Sequence, residues 1–300
     1  MDWNIGHVGD VVQKIQEWAS QDHDTKSAGG VKTGFSTLDE ILGGFQRGTL
    51  SLIAGRPSMG KTALALGIAL HAALTEKQKV LYLTCGHSLE AMGRRLLSSY
   101  AGIDSHRLRH KRFVKGEAAK MQKAVEELKS SKLFLCDLCG LSVETMDLPV
   151  HMLCKWDQEG MKDPPALVVV DALDDLRIEE TPVGLFAERD ENEERQSIMA
   201  KLHKIARDYE TALLALVTLR RTAENRPEGR PYMGDLPHRN LLEPWTDNVL
   251  LVYRPSYYAE SSAQDDPAEV IVAKNRTGLT GVARLIFNRA CMRFEEAPAE

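Results

Sequence analysis

The segment "GRPSMGKT" (residues 55–62) carries the densest chemistry in the chain. It fits G-x-x-x-x-G-K-[ST], and an apolar strand ("TLSLIAG", 49–55) precedes it while an Ala/Leu-rich helix (61–75) follows. The motif needs that setting: backbone N–H groups of the loop and the first helical turn then converge on an anion. On this reading Gly55, Arg56, Pro57, Ser58, Met59, Gly60, Lys61 and Thr62 cradle a nucleotide's phosphates. Lys61 reaches the β- and γ-phosphates, and the Thr62 hydroxyl ligates Mg²⁺. ATP and Mg²⁺ are the implied ligands. A magnesium site also wants a carboxylate, because the hard ion prefers oxygen. "ALVVVD" (166–171) ends an apolar run in Asp171. Such an Asp is often only a strand cap; beside a phosphate loop it reads as the second magnesium anchor.

Other clusters are less specific. "CDLCGLSVETMDLPVHMLC" places Cys136, Cys139, His151 and Cys154 in a Cys₃His order compatible with zinc. A helix from about Ser142 would carry His151 and Cys154 roughly 13–18 Å from its start. All four ligands must lie within about 2.3 Å of one point. Unless Pro149 folds the helix back, free thiols are the better reading. Basic stretches (94–113, and 219–231 with Arg220, Arg221, Arg226 and Arg230) alternate with an acidic one (171–195). Any single run of this kind reads most simply as a solvated face.

The elements that must position these groups alternate. Strands are expected at 49–55, 79–85, 132–136, 166–171, 212–219, 248–254, 268–276 and 281–288, with helices between the earlier ones at about 88, 116–130, 142 and 193–209. The early strands are apolar throughout and one helix apart, so they should be parallel and buried on both faces, while the last three should form an antiparallel edge. One doubly wound α/β domain follows. Ahead of it, Val11, Ile15 and Trp18 make a stripe on a short helix, separated by the polar "QDHDTKSAGG". We therefore divide the chain into 1–30, a linker helix with its flexible linker, and 31–300, the main domain.

The bulk numbers set limits. The 300 residues are 43% hydrophobic and 27% charged, with net charge −5. That argues against nonspecific coating of nucleic acid, but not against a local basic channel. No apolar run reaches the roughly 20 residues of a membrane span. The N-terminus has two acids and no basic region of a signal peptide. Five cysteines without a small-scaffold pattern favour a reducing, cytoplasmic setting.

The stretch "TGFSTLDEILGGFQRGTLSLIAGRPSMGKTALALGIA", together with "VVVDALDDLR", "LRRTAENRPEGRPYMGDL", "NVLLVYR" and "AKNRTGLTGVARLIFN", resembles the ATPase domain of DnaB-type replicative helicases. The likeness runs from about residue 10 to 294; the large N-terminal domain of those proteins has no counterpart in it. It implies a RecA-like P-loop fold, a mostly parallel sheet with antiparallel C-terminal edge strands, and an N-terminal linker helix that docks on a neighbouring subunit. It also implies ATP-dependent unwinding of DNA in replication by a ring, hexameric in the family, and partners such as a replicative helicase, a primase or a loader. Lys274 and Arg276 match the piston and arginine finger that act across a subunit interface, joining Lys61 and Asp171 as the residues of hydrolysis. Arg220, Arg221, Arg226 and Arg230 match a loop that holds single-stranded DNA.

The resemblance breaks at the chemistry. Gly86 stands where the family carries the glutamate that activates water, between Cys85 and His87 in "VLYLTCGHSLE". Thr218 matches the phosphate-sensing glutamine, and Asp174 another glutamine. Phosphate-holding residues are kept; water-activating and sensing ones are changed. His87, Glu90 and Asp174 are the candidate substitutes for the missing acid. Two readings follow: a helicase with weakened hydrolysis, or a non-hydrolysing, ATP-gated paralogue that forms or caps a ring.

Overall fold

A computed structural model describes residues 30–138, 143–155, 163–177, 191–257 and 265–298, with Val8, Val12, Gln13 and Gln16. Those four isolated residues are helical. Val11, Ile15 and Trp18, on which the linker-helix expectation rests, lie outside the described residues, as does Cys139.

The described strands form one nine-stranded sheet in the order β3-β2-β4-β5-β1-β6-β7-β8-β9. They are β1 (Leu50–Gly55), β2 (Val80–Thr84), β3 (Leu133–Asp137), β4 (Leu167–Asp171), β5 (Ala212–Thr218), β6 (Asn248–Tyr253), β7 (Asp265–Asn275), β8 (Gly281–Asn288) and β9 (Arg293–Glu296). The pairs from β3 through to β6 are parallel. Those from β6 to β9 are antiparallel. β6 is thus the turning point of the sheet, parallel to β1 on one side and antiparallel to β7 on the other. The expected antiparallel C-terminal edge is present, with β6 as its inner strand and β9 added beyond β8. A uniformly apolar strand such as "NVLLVY" records burial on both faces, not direction.

Alternation along each strand divides the core. Val169, Leu214 and Leu216 face one layer with Tyr82 and with Leu64, Ala65 and Ile68 of the helix after the phosphate loop. Val168, Val170 and Leu213 face the other, with Ile198, Met199, Leu202 and Ile205 of the helix Glu191–Asp208. β3 is the exception to burial on both faces: as the edge strand it is only partly covered. The early helices are α1 (Ser36–Leu42), α2 (Lys61–Leu70, ending in a wider turn over His71–Thr75) and α3 (Leu89–Ala101). Ser88 caps α3, its hydroxyl accepting from Ala91 N–H at 3.3 Å, and Gly102 closes the helix in the left-handed conformation.

The sheet has one functional consequence. Gly55 is in register with Thr218, and Thr84 with Asp171. The carboxyl ends of β1, β5, β4 and β2 therefore form a row, stepped by about 4.8 Å per strand. That is the edge at which open α/β sheets bind ligands.

Candidate nucleotide site

The phosphate loop leaves β1 at Gly55 and turns back at Arg56–Met59, where Met59 N–H donates to Arg56 O. Ser58 and Gly60 have φ of 65° and 98°. A Cβ at Gly60 would stand 2.9 Å from the Phe294 ring, so both the conformation and the space require glycine. Three loop positions are anchored to the rest of the domain. Met59 is buried beneath it. Arg254 donates to Ser58 O at 2.9 Å. Arg56 donates to Leu219 O at 2.6 Å and to Glu224 Oε1 at 2.7 Å.

Arg254 is itself buried. It forks onto Asp266 at 2.9 and 2.7 Å and lies 4.0 Å over the Phe287 ring. Arg289 adds a third bond to the same carboxylate at 2.5 Å. Burial alone would raise the Asp266 pKa, but the two guanidiniums outweigh it and hold the carboxyl below its ordinary value.

Lys61 folds over the loop, donating to Gly55 O at 2.9 Å and Arg56 O at 3.3 Å. Burial lowers its pKa, Asp174 and Asp171 pull the other way, and Arg56 lowers it again. An ammonium held only by carbonyls in a half-buried loop is one that a phosphate would relieve. Asp171 ends β4, buried, with Oδ2 accepting from the Tyr82 hydroxyl at 2.8 Å. Burial, the Asp171 charge and this bond push the Tyr82 pKa well up, so the phenol stays a neutral donor. The donor set suits Mg²⁺: a buried carboxylate with Oδ1 left over, and the Thr62 hydroxyl in the first turn of α2, which donates to no protein group among the described residues.

Of the candidate substitutes for the missing acid, Asp174 and Glu90 are already engaged by side-chain bonds, and the backbone of His87 is tied into a turn. Asp174 Oδ2 accepts Thr218 N–H at 2.8 Å. Glu90 pairs with Arg94 on α3, and its side chain is 82% exposed. His87 N–H bonds the Thr84 hydroxyl, which returns a bond to His87 O, closing a turn. Asp175 was not singled out from the sequence. A Cβ at Gly86 would stand 3.4 Å from its Oδ2.

The remaining expected residues divide. Arg220 and Arg221 are exposed at the start of the 219–231 loop. Arg226 is turned inward, bonded to Arg230 O and to Asp235, and stacked 4.6 Å over Tyr232. Arg230 pairs with Glu269 and lies 5.6 Å from the Tyr253 ring centre. Lys274 donates to Glu243 O at 2.6 Å and Thr246 O at 2.7 Å. Arg276 is about half exposed and pairs with Asp247 at 3.2 Å. Cys136 lies on β3, and His151 and Cys154 in the helix Asp147–Lys155; burial raises the pKa of both thiols. No metal-binding group of three His, Cys, Asp or Glu residues occurs among the described residues.

Sequence reasoning missed Tyr82, Arg254, Asp266, Phe294 and Asp175. A tyrosine inside a buried strand is a usable signal, since its hydroxyl must find a partner. The others depend on contacts between distant segments and leave no local mark.

A phosphate loop between a buried strand and helix, a carboxylate two strands away on the same edge, and this strand order define a RecA-like P-loop domain. The family model for the DnaB-like helicase C terminal domain matches residues 30–296, and the chain belongs to that family. It is 33% identical over 268 residues to a probable replicative DNA helicase of Trieres chinensis, covering 88% of this chain and 57% of the relative. The chain thus spans little more than half the length of that relative. One solved ATPase domain superposes with a TM-score of 0.84 at 27% identity, covering 98% of this chain and all of that one. A DnaB-like replicative helicase, solved in a study of its interactions with primase, gives 0.83 at 27%, covering 99% of this chain and 68% of that one.

Proposed function

We propose that this domain binds Mg-ATP and drives a ring-shaped replicative DNA helicase on single-stranded DNA, with hydrolysis slower than in a relative that carries the acid at position 86. The observation that carries this is the row at the sheet's carboxyl edge. That Lys61, Thr62 and Asp171 lie along this edge supports their holding phosphate and Mg²⁺, while Gly86 offers no side chain to orient water. When bound, Mg²⁺ would neutralise charge on the β- and γ-phosphates; Thr62 and Asp171 would hold it. Lys61 would exchange its carbonyl bonds for phosphate oxygens.

Lys274 and Arg276 serve this reading as cations presented to a neighbouring subunit, since their present partners are mostly backbone carbonyls that a phosphate can replace. Arg220 and Arg221 would contact DNA phosphates, giving salt-dependent, sequence-blind binding. Arg226 and Arg230 would shape the loop that presents them. The partners expected are single-stranded DNA, further copies in a hexamer, and a primase or loader. The linker segment 1–30 would dock on the adjacent copy.

The test is ATPase rate with and without single-stranded DNA, beside Lys61→Ala. A slow, DNA-stimulated, Lys61-dependent rate supports the proposal. Turnover at about 1–100 s⁻¹, ordinary for such motors, would remove the claim of slowed hydrolysis. Gly86 also favours a second reading, an ATP-gated protein that binds without hydrolysing. A wild-type rate equal to that of Lys61→Ala, with nucleotide binding retained, selects it.

A further inference from the structure

Gly86 leaves the site short of an acid, but not the space around it. The β2–β4 ladder continues past the strand ends, with Cys85 N–H donating to Asp171 O at 2.7 Å, so Gly86 follows directly beside the chain leaving β4. That chain makes one tight turn over Leu173–Asp175, closed by Asp175 N–H to Ala172 O at 3.1 Å. The turn brings Asp175 Oδ2 to 3.4 Å from where a Cβ of residue 86 would stand. By ordinary bond lengths a glutamate places its carboxylate oxygens about 3–3.5 Å from its own Cβ. Asp175 thus offers an oxygen at the distance from position 86 that a glutamate there would provide.

Availability separates it from its neighbours. Asp171 holds the Tyr82 hydroxyl, Asp174 holds Thr218 N–H, and Glu90 is paired with Arg94. Asp175 is exposed, and among the described residues no group donates to its side chain. Asp174 and Asp175 therefore divide the work of the turn: one ties β4 to β5, the other is left free on the edge where the nucleotide would lie.

We infer that Asp175 is the water-activating carboxylate of this site, supplied from the turn after β4 in place of the missing side chain at Gly86. This rests on the reading that the domain hydrolyses ATP. The step balances as ATP plus water giving ADP and inorganic phosphate. The water oxygen bonds to the γ-phosphorus as the bond from that phosphorus to the β,γ-bridging oxygen breaks. ADP departs with the electron pair of that bond. Asp175 takes the proton of the attacking water and releases it to phosphate or solvent. The slow rate follows from a group held by one exposed turn, less fixed than a residue on a strand end.

The experiment uses the full chain with Mg-ATP and oligo-dT, measuring phosphate release and, separately, the affinity for a fluorescent ATP analogue. Asp175→Asn should lower kcat on the order of 10²-fold while leaving nucleotide affinity within about twofold, as expected for a group acting only in the transition state. Adding Gly86→Glu to Asp175→Asn should restore activity, which a merely structural role for Asp175 would not allow. Lys61-dependent hydrolysis that survives Asp175→Asn overturns the inference. Nucleotide binding without Lys61-dependent hydrolysis overturns it too, and selects the non-hydrolysing reading. Absence of nucleotide binding in the wild type overturns the proposed function beneath it.

Discussion

Arg56, inside the phosphate loop, donates to Leu219 O and pairs with Glu224, so the nucleotide-facing turn is tied directly to the basic loop that follows β5. Events at one loop must therefore be felt at the other. Arg56→Ala should speed hydrogen exchange of the amides at 219–226 and weaken ATP binding by about tenfold or more, since hydrogen bonds to charged groups carry about 1.5–3 kcal/mol. Glu224→Gln, which keeps the Leu219 bond, should do markedly less. Equal effects of the two would mean that the Leu219 bond contributes nothing.

Asp266→Asn should be among the most damaging single substitutions. It leaves buried Arg254 without its countercharge, a loss of about 3–5 kcal/mol for a broken buried pair, and loosens the guanidinium that supports Ser58 O. The pH dependence has a definite sign. The Asp266 pKa is depressed in the fold, so its contribution is full above the ordinary carboxylate value of 3.8 and is lost as pH falls below that value through the lower folded one. Urea midpoints between about pH 5 and 3 should fall steeply in the wild type and less steeply in the variant.

Tyr82→Phe should destabilise by about 1–2 kcal/mol, by leaving a buried carboxylate oxygen without its donor. The alkaline sign is opposite to that of Asp266. The fold keeps Tyr82 protonated past its ordinary value of 10.0, so stability falls as pH rises above it. Chemical unfolding from about pH 9 to 11 checks this: the wild type should lose stability faster than Tyr82→Phe. Parallel slopes would contradict the buried hydrogen bond to Asp171.

Gly60→Ala should cost about 1–3 kcal/mol in backbone strain alone, with a further clash against Phe294. Adding Phe294→Leu should recover part of the thermal stability but not ATP affinity, because the positive φ at residue 60 shapes the anion cradle itself. Recovery of both by the second substitution would show that the clash, not the backbone, was the obstacle.

How much of this the amino-acid order discloses depends on distance along the chain. The phosphate loop was legible because motif, preceding strand and following helix are contiguous. Asp171 was legible because an acid ending an apolar strand stands out. The supports were not: Ser58 meets Arg254 and Gly60 meets Phe294 from the far end of the chain. β9 escaped notice because "RFEE" has a single apolar residue to face the core. α1 escaped because seven residues are too few for a helical stripe to repeat. The exchange of roles between Gly86 and Asp175 shows the limit most plainly. Matching positions one by one reports an acid lost at 86, whereas the turn after β4 brings another to the same place.

The last strand carries a consequence for how the molecule comes into being. Phe294 closes the phosphate loop, and Glu296 accepts from the Ser36 hydroxyl at the start of α1. β1, at the middle of the sheet, waits for β5 and β6 on its two sides. A chain emerging from the ribosome therefore displays its complete phosphate-loop motif long before the strands that pack around the loop are present. At roughly 5–20 residues per second of synthesis, some 10–50 seconds pass between the appearance of Lys61 and that of Glu296. Through that interval the nascent domain holds the motif without the Phe294 ring against Gly60 and without the Ser36–Glu296 bond, both of which come from the last described strand.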